Sequence, residues 1–183
     1  RTRANVIGLR RHTVRVVDHR PEWPTLAAGE IARLRGVLGE LALDLQHVGS
    51  TAVAELPAKP ILDLAVAVRA PEDVPEVVAR LVAAGYLDRG DSGREGGYLC
   101  VRETALGLRT VHLHLVAQAD SQWRNYLAFR DRLREDTALR QEYAALKTDL
   151  AARYPDDRAA YTAGKHDFIR RTLGAQQSTR LSR

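Results

Sequence analysis

A chain of 183 residues with 45% apolar and 28% charged side chains can bury a real core, which excludes wholesale disorder and favours one domain. The single cysteine, Cys100, excludes an internal disulfide and a thiolate zinc site, and the longest apolar runs are far too short to span a bilayer. The net charge of +5 collects at the ends, in Arg1, Arg3, Arg10, Arg11, Arg180 and Arg183, so no basic patch on the body points to nucleic acid.

Residues 1–12 read as a flexible basic segment, 13–174 as a single domain and 175–183 as a flexible tail. No early stretch combines a charged, an apolar and a small-residue segment, so a cytoplasmic location is expected. Methionine is absent, so the numbering is expected to begin downstream of the natural start or after a removed tag. Val14, Val16 and Val17 suggest a short strand. Pro24 suits the first turn of a helix whose stripe is Ile31, Leu34 and Leu38 and whose stop is Gly39.

Leu41 to Val48 reads as a strand that runs into Gly49-Ser50-Thr51. The near-continuous apolar run from Ile61 to Val68 predicts a central strand covered on both faces. Pro71 opens a second helix, with Val74, Val77, Val78, Leu81 and Val82 at helical spacing and Gly85 as its stop. Arg89 to Gly97 is glycine-rich and charged, so a mobile loop is expected there. Tyr98–Glu103 and Thr110–Val116 form a hairpin through Ala105-Leu106-Gly107.

The last third is helical. Trp123, Tyr126, Leu127 and Leu133 mark one helix, and Leu139, Tyr143, Leu146 and Leu150 another. Asp156 or Asp157 caps a third, which carries Tyr161, Phe168, Ile169 and Leu173. Strands early and helices late define an α+β fold rather than strict alternation. Cys100, between Leu99 and Val101, reads as a small buried hydrophobe.

Chemistry concentrates in His47-Val48-Gly49-Ser50-Thr51 and in Lys59 to Asp63. A strand that ends in Gly-Ser and turns into a helix presents backbone N–H groups to an anion. Asp63, lone in an apolar strand, needs a partner, a metal or a wet cleft. His112 and His114 alternate on a strand, so both imidazoles share one face. With Asp63 and His47 they could hold a metal ion or act as acid and base. His47 could instead orient the Gly-Ser turn. Lys59, Arg102 and Lys165 are candidate contacts to an anionic substrate, with Arg94 beside them. Trp123 and Tyr126 read as core before they read as a stacking platform.

The runs HVGSTAV, AKPILDLAV, VHLHLV, WRNYLAFRDRLR and EYAALK, in that order, resemble the GrpB family from about Val14 to Leu173. The resemblance implies a nucleotidyltransferase-like mixed β-sheet packed with helices, related to a domain fused to some bacterial dephospho-coenzyme A kinases. It implies Gly49 and Ser50 as the phosphate turn, beside which Thr51 is a further candidate for phosphate binding, and Asp63 as the first catalytic carboxylate. The second carboxylate position is Ala65, which cannot coordinate, and the third falls on the strand of His112 and His114. Glu55 stands where the family usually has glycine.

The expectation is thus a divergent nucleotidyltransferase-type enzyme that acts on a phosphorylated small molecule, away from membranes. A nucleoside triphosphate and a divalent metal (Mg, Mn or Zn) would be its cofactors, and nucleotidyl or phosphoryl transfer its reaction. Catalysis would fall to Asp63, His112 and His114, and metal binding to those residues with His47. The alternatives are a non-catalytic nucleotide-binding accessory module and a single-metal histidine-site enzyme on the same scaffold.

Overall fold

The structure, a computed structural model, describes residues 6–91 and 97–181, with side chains as far as residue 174. Six strands build one mixed sheet: β1 (Leu9–Arg10), β2 (Asp44–Val48), β3 (Leu62–Val68), β4 (Leu87–Asp91), β5 (Tyr98–Glu103) and β6 (Leu108–Ala117). The order is β2-β3-β6-β5-β4, and β1 pairs with β6 at Arg109, on the side away from β5. Among the described residues only β3 and β6 run parallel, and every other pair is antiparallel.

The central place of β3 follows from its sequence, since every residue from Leu64 to Val68 is buried. Leu62, Leu64, Val66 and Val68 point to one face with Leu45, Val111, Leu113 and Leu115. Helices α1 (Trp23–Leu38) and α2 (Val74–Ala83) cover that face through Trp23, Leu34, Leu38, Val77 and Leu81. Asp63, Ala65 and Ala67 point to the other face, which α3 (Ser121–Glu135) covers through Trp123. Helices α4 (Thr137–Arg153), α5 (Arg158–Ala163) and α6 (His166–Leu181) extend this second layer around Tyr143, Phe168, Leu150 and Tyr161. Asp120, Asp136 and Asp157 cap α3, α4 and α5 by accepting from the backbone N–H of Gln122, Leu139 and Ala160.

Several expectations need correction. The segment around Val14–Val17 is no strand: the Val14 N–H goes to Pro155 and only Val17 bridges to Ala58. Pairing begins earlier, because Leu9 is buried and β1 lies within the segment expected to be a flexible lead. Strand β2 starts at Asp44, after a 3-10 turn over Gly39–Leu41. Pro71 opens a 3-10 turn rather than α2 itself. The third late helix is two, α5 and α6, and a Cβ on Gly164 between them would meet Leu150 Cδ2 at 2.4 Å. The final helix runs to Leu181, beyond the expected boundary at 174. Of the expected loop, residues 89–91 belong to β4 and residues 92–96, with Arg94, lie outside the described residues.

The hairpin between β5 and β6 closes as expected, with Gly107 at φ 72°, the Thr104 N–H donating to the Leu108 carbonyl and the Gly107 N–H to the Thr104 carbonyl. Cys100 is fully buried, and burial pushes its thiol up to about 12. Among the described residues no helix is long and apolar enough to cross a membrane.

Candidate functional site

Register fixes the centre of the site. Asp63 on β3 pairs with His112 on β6, and Ala65 pairs with His114. All four side chains therefore leave the sheet on the α3 face. His114 Nε2 donates to Asp63 Oδ1 at 3.0 Å, and His112 Nδ1 lies 3.7 Å from the same oxygen. Burial opposes ionisation of Asp63, yet the hydrogen bond from His114 and the charges of His114, His112 and Lys59 hold it well below the usual carboxylate range. Burial brings the His112 imidazole down to about 3, so its ring is neutral at pH 7.

The glycine turn meets this carboxylate directly. Val48 ends β2 opposite Asp63, and Gly49 follows with φ 71°. A Cβ on Gly49 would stand 2.9 Å from Asp63 Oδ2, so only glycine lets the turn cross there. Ser50–Ala52 then form a single 3-10 turn, not the helix expected, and Ser50 makes no capping bond. His47 Nε2 lies 2.8 Å from Thr51 Oγ1, and Thr51 is buried. From α3, Arg130 donates to the His47 carbonyl and Arg134 to the Ala52 carbonyl, at 3.1 Å and 2.9 Å. The arginines of the WRNYLAFRDRLR run thus clamp the turn from both ends.

A cavity of about 450 Å³ opens over Asp63, between the sheet, the turn and helices α3 to α6. Gly49, Ser50, Thr51, Lys59, His112, His114 and Lys165 all line it, together with Lys147, Arg158 and Arg170. Tyr126, Phe129, Tyr143 and Tyr161 supply aromatic wall, and Tyr126 packs on His114 with ring centroids 5.1 Å apart. Lys147 is 1% exposed, donates to the Pro57 carbonyl and lies 4.9 Å from the Tyr143 ring centroid. Burial, then the charges of Lys165 and Lys59, push its ammonium well below the usual lysine value. Burial and then Lys165 bring Lys59 down to about 7, against the pull of Asp63. Burial also lowers Lys165. Against these cations stands Asp63, the one carboxylate of the lining.

Other expectations are not met. His47 pairs with Leu64 and so leaves the sheet on the opposite face from Asp63. Its role is to bond Thr51, and burial brings its ring down to about 4. Arg102 pairs with Val111, also on the far face, where it donates to Glu30 at 2.6 Å. Lys165 sits in the turn before α6 rather than on it. Ala65 is fully buried with Val48, Ala67, Val116 and Trp123, so the second carboxylate's position is sealed by apolar packing. Among the described residues no group of three or more His, Cys, Asp or Glu is arranged to hold a metal ion. The two-metal clamp of the fold does not fit these residues. The sequence signal for Lys147 was its place in the α4 stripe, four residues from Tyr143 and three from Leu150. Arg158 carried no local signal.

The GrpB family profile matches residues 13–175. The chain belongs to the GrpB family. It is 34% identical to the glutamate-rich protein GrpB of Alkalihalophilus pseudofirmus, over 90% of this chain and 96% of that one. It is 32% identical to UPF0157 protein YqkA of Bacillus subtilis, over 86% of this chain but 45% of that protein. A dephospho-CoA kinase of Mycobacterium tuberculosis is 28% identical over 87% of this chain and 45% of that protein. Among solved structures, conserved protein GrpB from Enterococcus faecalis superposes with a TM-score of 0.80 at 31% identity, covering 91% of this chain and 99% of that one. Cid1 poly(U) polymerase with MgGTP bound superposes with a TM-score of 0.53 at 14% identity, covering 75% of this chain and 45% of that one. That likeness concerns the fold alone, which is the nucleotidyltransferase-like α+β fold expected.

Proposed function

We propose that this GrpB-family chain binds a nucleotide or another phosphorylated small molecule in the cavity over Asp63. One observation carries the reading: Lys59, Lys147, Lys165, Arg158 and Arg170 surround a single carboxylate beside the Gly49 turn. Arg170 is exposed and paired with Asp167, but the other four stand partly or fully buried with only Asp63 to balance them, an arrangement that favours an anion. The rings of Tyr126, Phe129, Tyr143 and Tyr161 suit the flat or apolar part of the same ligand.

Binding without turnover is the first form of this reading. Ala65 lacks the second metal-binding carboxylate, and Asp63, held far below its usual range, is a weak general base. In the mycobacterial dephospho-CoA kinase the matching segment is 45% of the length, which suits an accessory module beside another portion. Metal-assisted nucleotidyl or phosphoryl transfer is the second form, favoured by the convergence of His112 and His114 on Asp63 Oδ1.

Thermal unfolding against nucleotides and phosphorylated metabolites tests the reading. A ligand at a hundred times its dissociation constant stabilises the fold by roughly 2.7 kcal/mol. No shift from any nucleotide or phosphorylated compound, with or without divalent ions, would sink it. Product formation from a bound nucleoside triphosphate would decide for the second form.

A further inference from the structure

The cavity is cationic where two-metal transfer needs carboxylates. Lys59 Nζ and Lys165 Nζ lie 5.2 Å and 4.7 Å from the centroid of one ring, that of Tyr161. The charge of Lys165 weakens the protonation of Lys59, so a nearby anion would stabilise both ammonium groups. Arg158 adds a third cation. Its Nη2 is fixed on the carbonyls of Arg10 and Thr13, at 2.7 Å and 3.1 Å, while Nη1 is buried with no partner. A guanidinium N–H buried and unmatched is costly, and no protein acceptor meets this one.

Asp63 already has its partners. His114 donates to its Oδ1 at 3.0 Å and His112 stands 3.7 Å from the same oxygen, so the imidazoles already engage Oδ1. Ala65 provides no second oxygen, and its surroundings are closed by Trp123 and Val116.

We propose that the cavity takes the anionic group of its ligand directly on Lys59, Lys165 and Arg158, with no divalent metal between protein and ligand. The inference rests on the reading of a phosphorylated ligand and adds how its charge is met. The Arg158 guanidinium, held by Nε and Nη2 on backbone carbonyls, contributes its fixed charge, and each ammonium brings a point charge and three donors. Bound anion relieves the repulsion between the two lysines. Asp63 then acts as a like charge towards the ligand rather than as its metal bridge.

Calorimetric titration of the full chain with inorganic pyrophosphate and with ATP, in excess EDTA and then in excess magnesium or zinc, tests this. Binding is expected in EDTA and no tighter with metal. Lys59→Gln and Lys165→Gln each weaken it by about tenfold or more, the loss of a close charge in a partly buried site. Asp63→Asn tightens it several-fold. Circular dichroism verifies that each variant folds, and the two lysines sit on different segments, so one unfolded variant leaves the other informative. Binding that requires metal and disappears in Asp63→Asn overturns the inference and leaves the phosphorylated-ligand reading standing. Binding in EDTA that ignores both lysine variants also overturns it. No binding of either probe by folded protein, with or without metal, overturns the inference and the reading together.

Discussion

Gly49 and Asp63 touch across the β2–β3 pair, with 2.9 Å between a notional Gly49 Cβ and the Asp63 carboxylate oxygen Oδ2. That contact joins the phosphate turn to the carboxylate, so the local backbone and the charge of the site are set together.

Gly49→Ala forces a side chain into Asp63 at φ 71°. A loss of about 1–3 kcal/mol in urea unfolding is expected, with ligand binding lost as the turn moves. Unchanged stability would mean that the close approach is absent in solution.

Glu55→Gly should do the opposite. Glu55 has φ 66°, the left-handed region, at the position where the family usually has glycine. Its carboxylate meets Arg140 at 3.3 Å but is 81% exposed, so that ion pair contributes little. A gain of about 0.5–1 kcal/mol is expected by denaturant titration; a loss would show that the Arg140 pair outweighs backbone strain.

Ala65→Asp tests whether the missing carboxylate can be restored. The position is buried among Val48, Ala67, Val116 and Trp123, and although His114 and Gln46 are its cross-strand partners, an added carboxylate would also face the like charge of Asp63 on the same face. Destabilisation of about 3 kcal/mol or more is expected, with no gain of metal-dependent transfer. A stable variant that binds manganese would reverse this account of the site.

Arg102→Ala separates the two faces. Glu30 keeps Arg33 and the Tyr86 hydroxyl, so the cost is about 1 kcal/mol or less for a partly exposed pair. Ligand binding should be unchanged, as a calorimetric titration reads directly.

Stability against pH carries a signature of the buried groups. His112 is held at about 3 against an ordinary 6.5. Between those values the unfolded chain takes a proton that the folded chain refuses, so stability falls as pH drops below 6.5. Asp63, depressed by His114 and its neighbours, keeps its contribution above its ordinary 3.8 and loses it only further down. Lys59, at about 7 instead of 10.5, works at the alkaline end. There the folded chain sheds a proton that the unfolded chain keeps, so stability rises from pH 7 towards 10.5. Ligand-free protein should therefore melt higher at pH 9 than at pH 6. Lys59→Gln should flatten the alkaline rise and His112→Gln the acid fall.

What the sequence revealed was local. The apolar run of β3, the glycine at 49, the histidine alternation and the late helical stripes each carry their own pattern, and each reappears in the fold. Face assignment between strands was not legible, because it depends on register. His47 and Val48 are adjacent, as are Val101 and Arg102, and that single step along the strand sends His47 and Arg102 away from Asp63. Arg158 reaches the cavity only through long-range packing, on carbonyls nearly a whole chain away in sequence. Lys147 could have been noticed as a charge within an apolar stripe, but its partner, the Pro57 carbonyl, belongs to tertiary structure.

The most direct test of the central claim is a backbone amide NMR titration with ATP in EDTA. The account predicts that resonances of Gly49, Ser50, Thr51, Asp63 and Lys165 shift together and saturably, while Arg102 and Glu30 stay still. Shifts confined to the Arg102 face, or none at any ligand concentration, would contradict it.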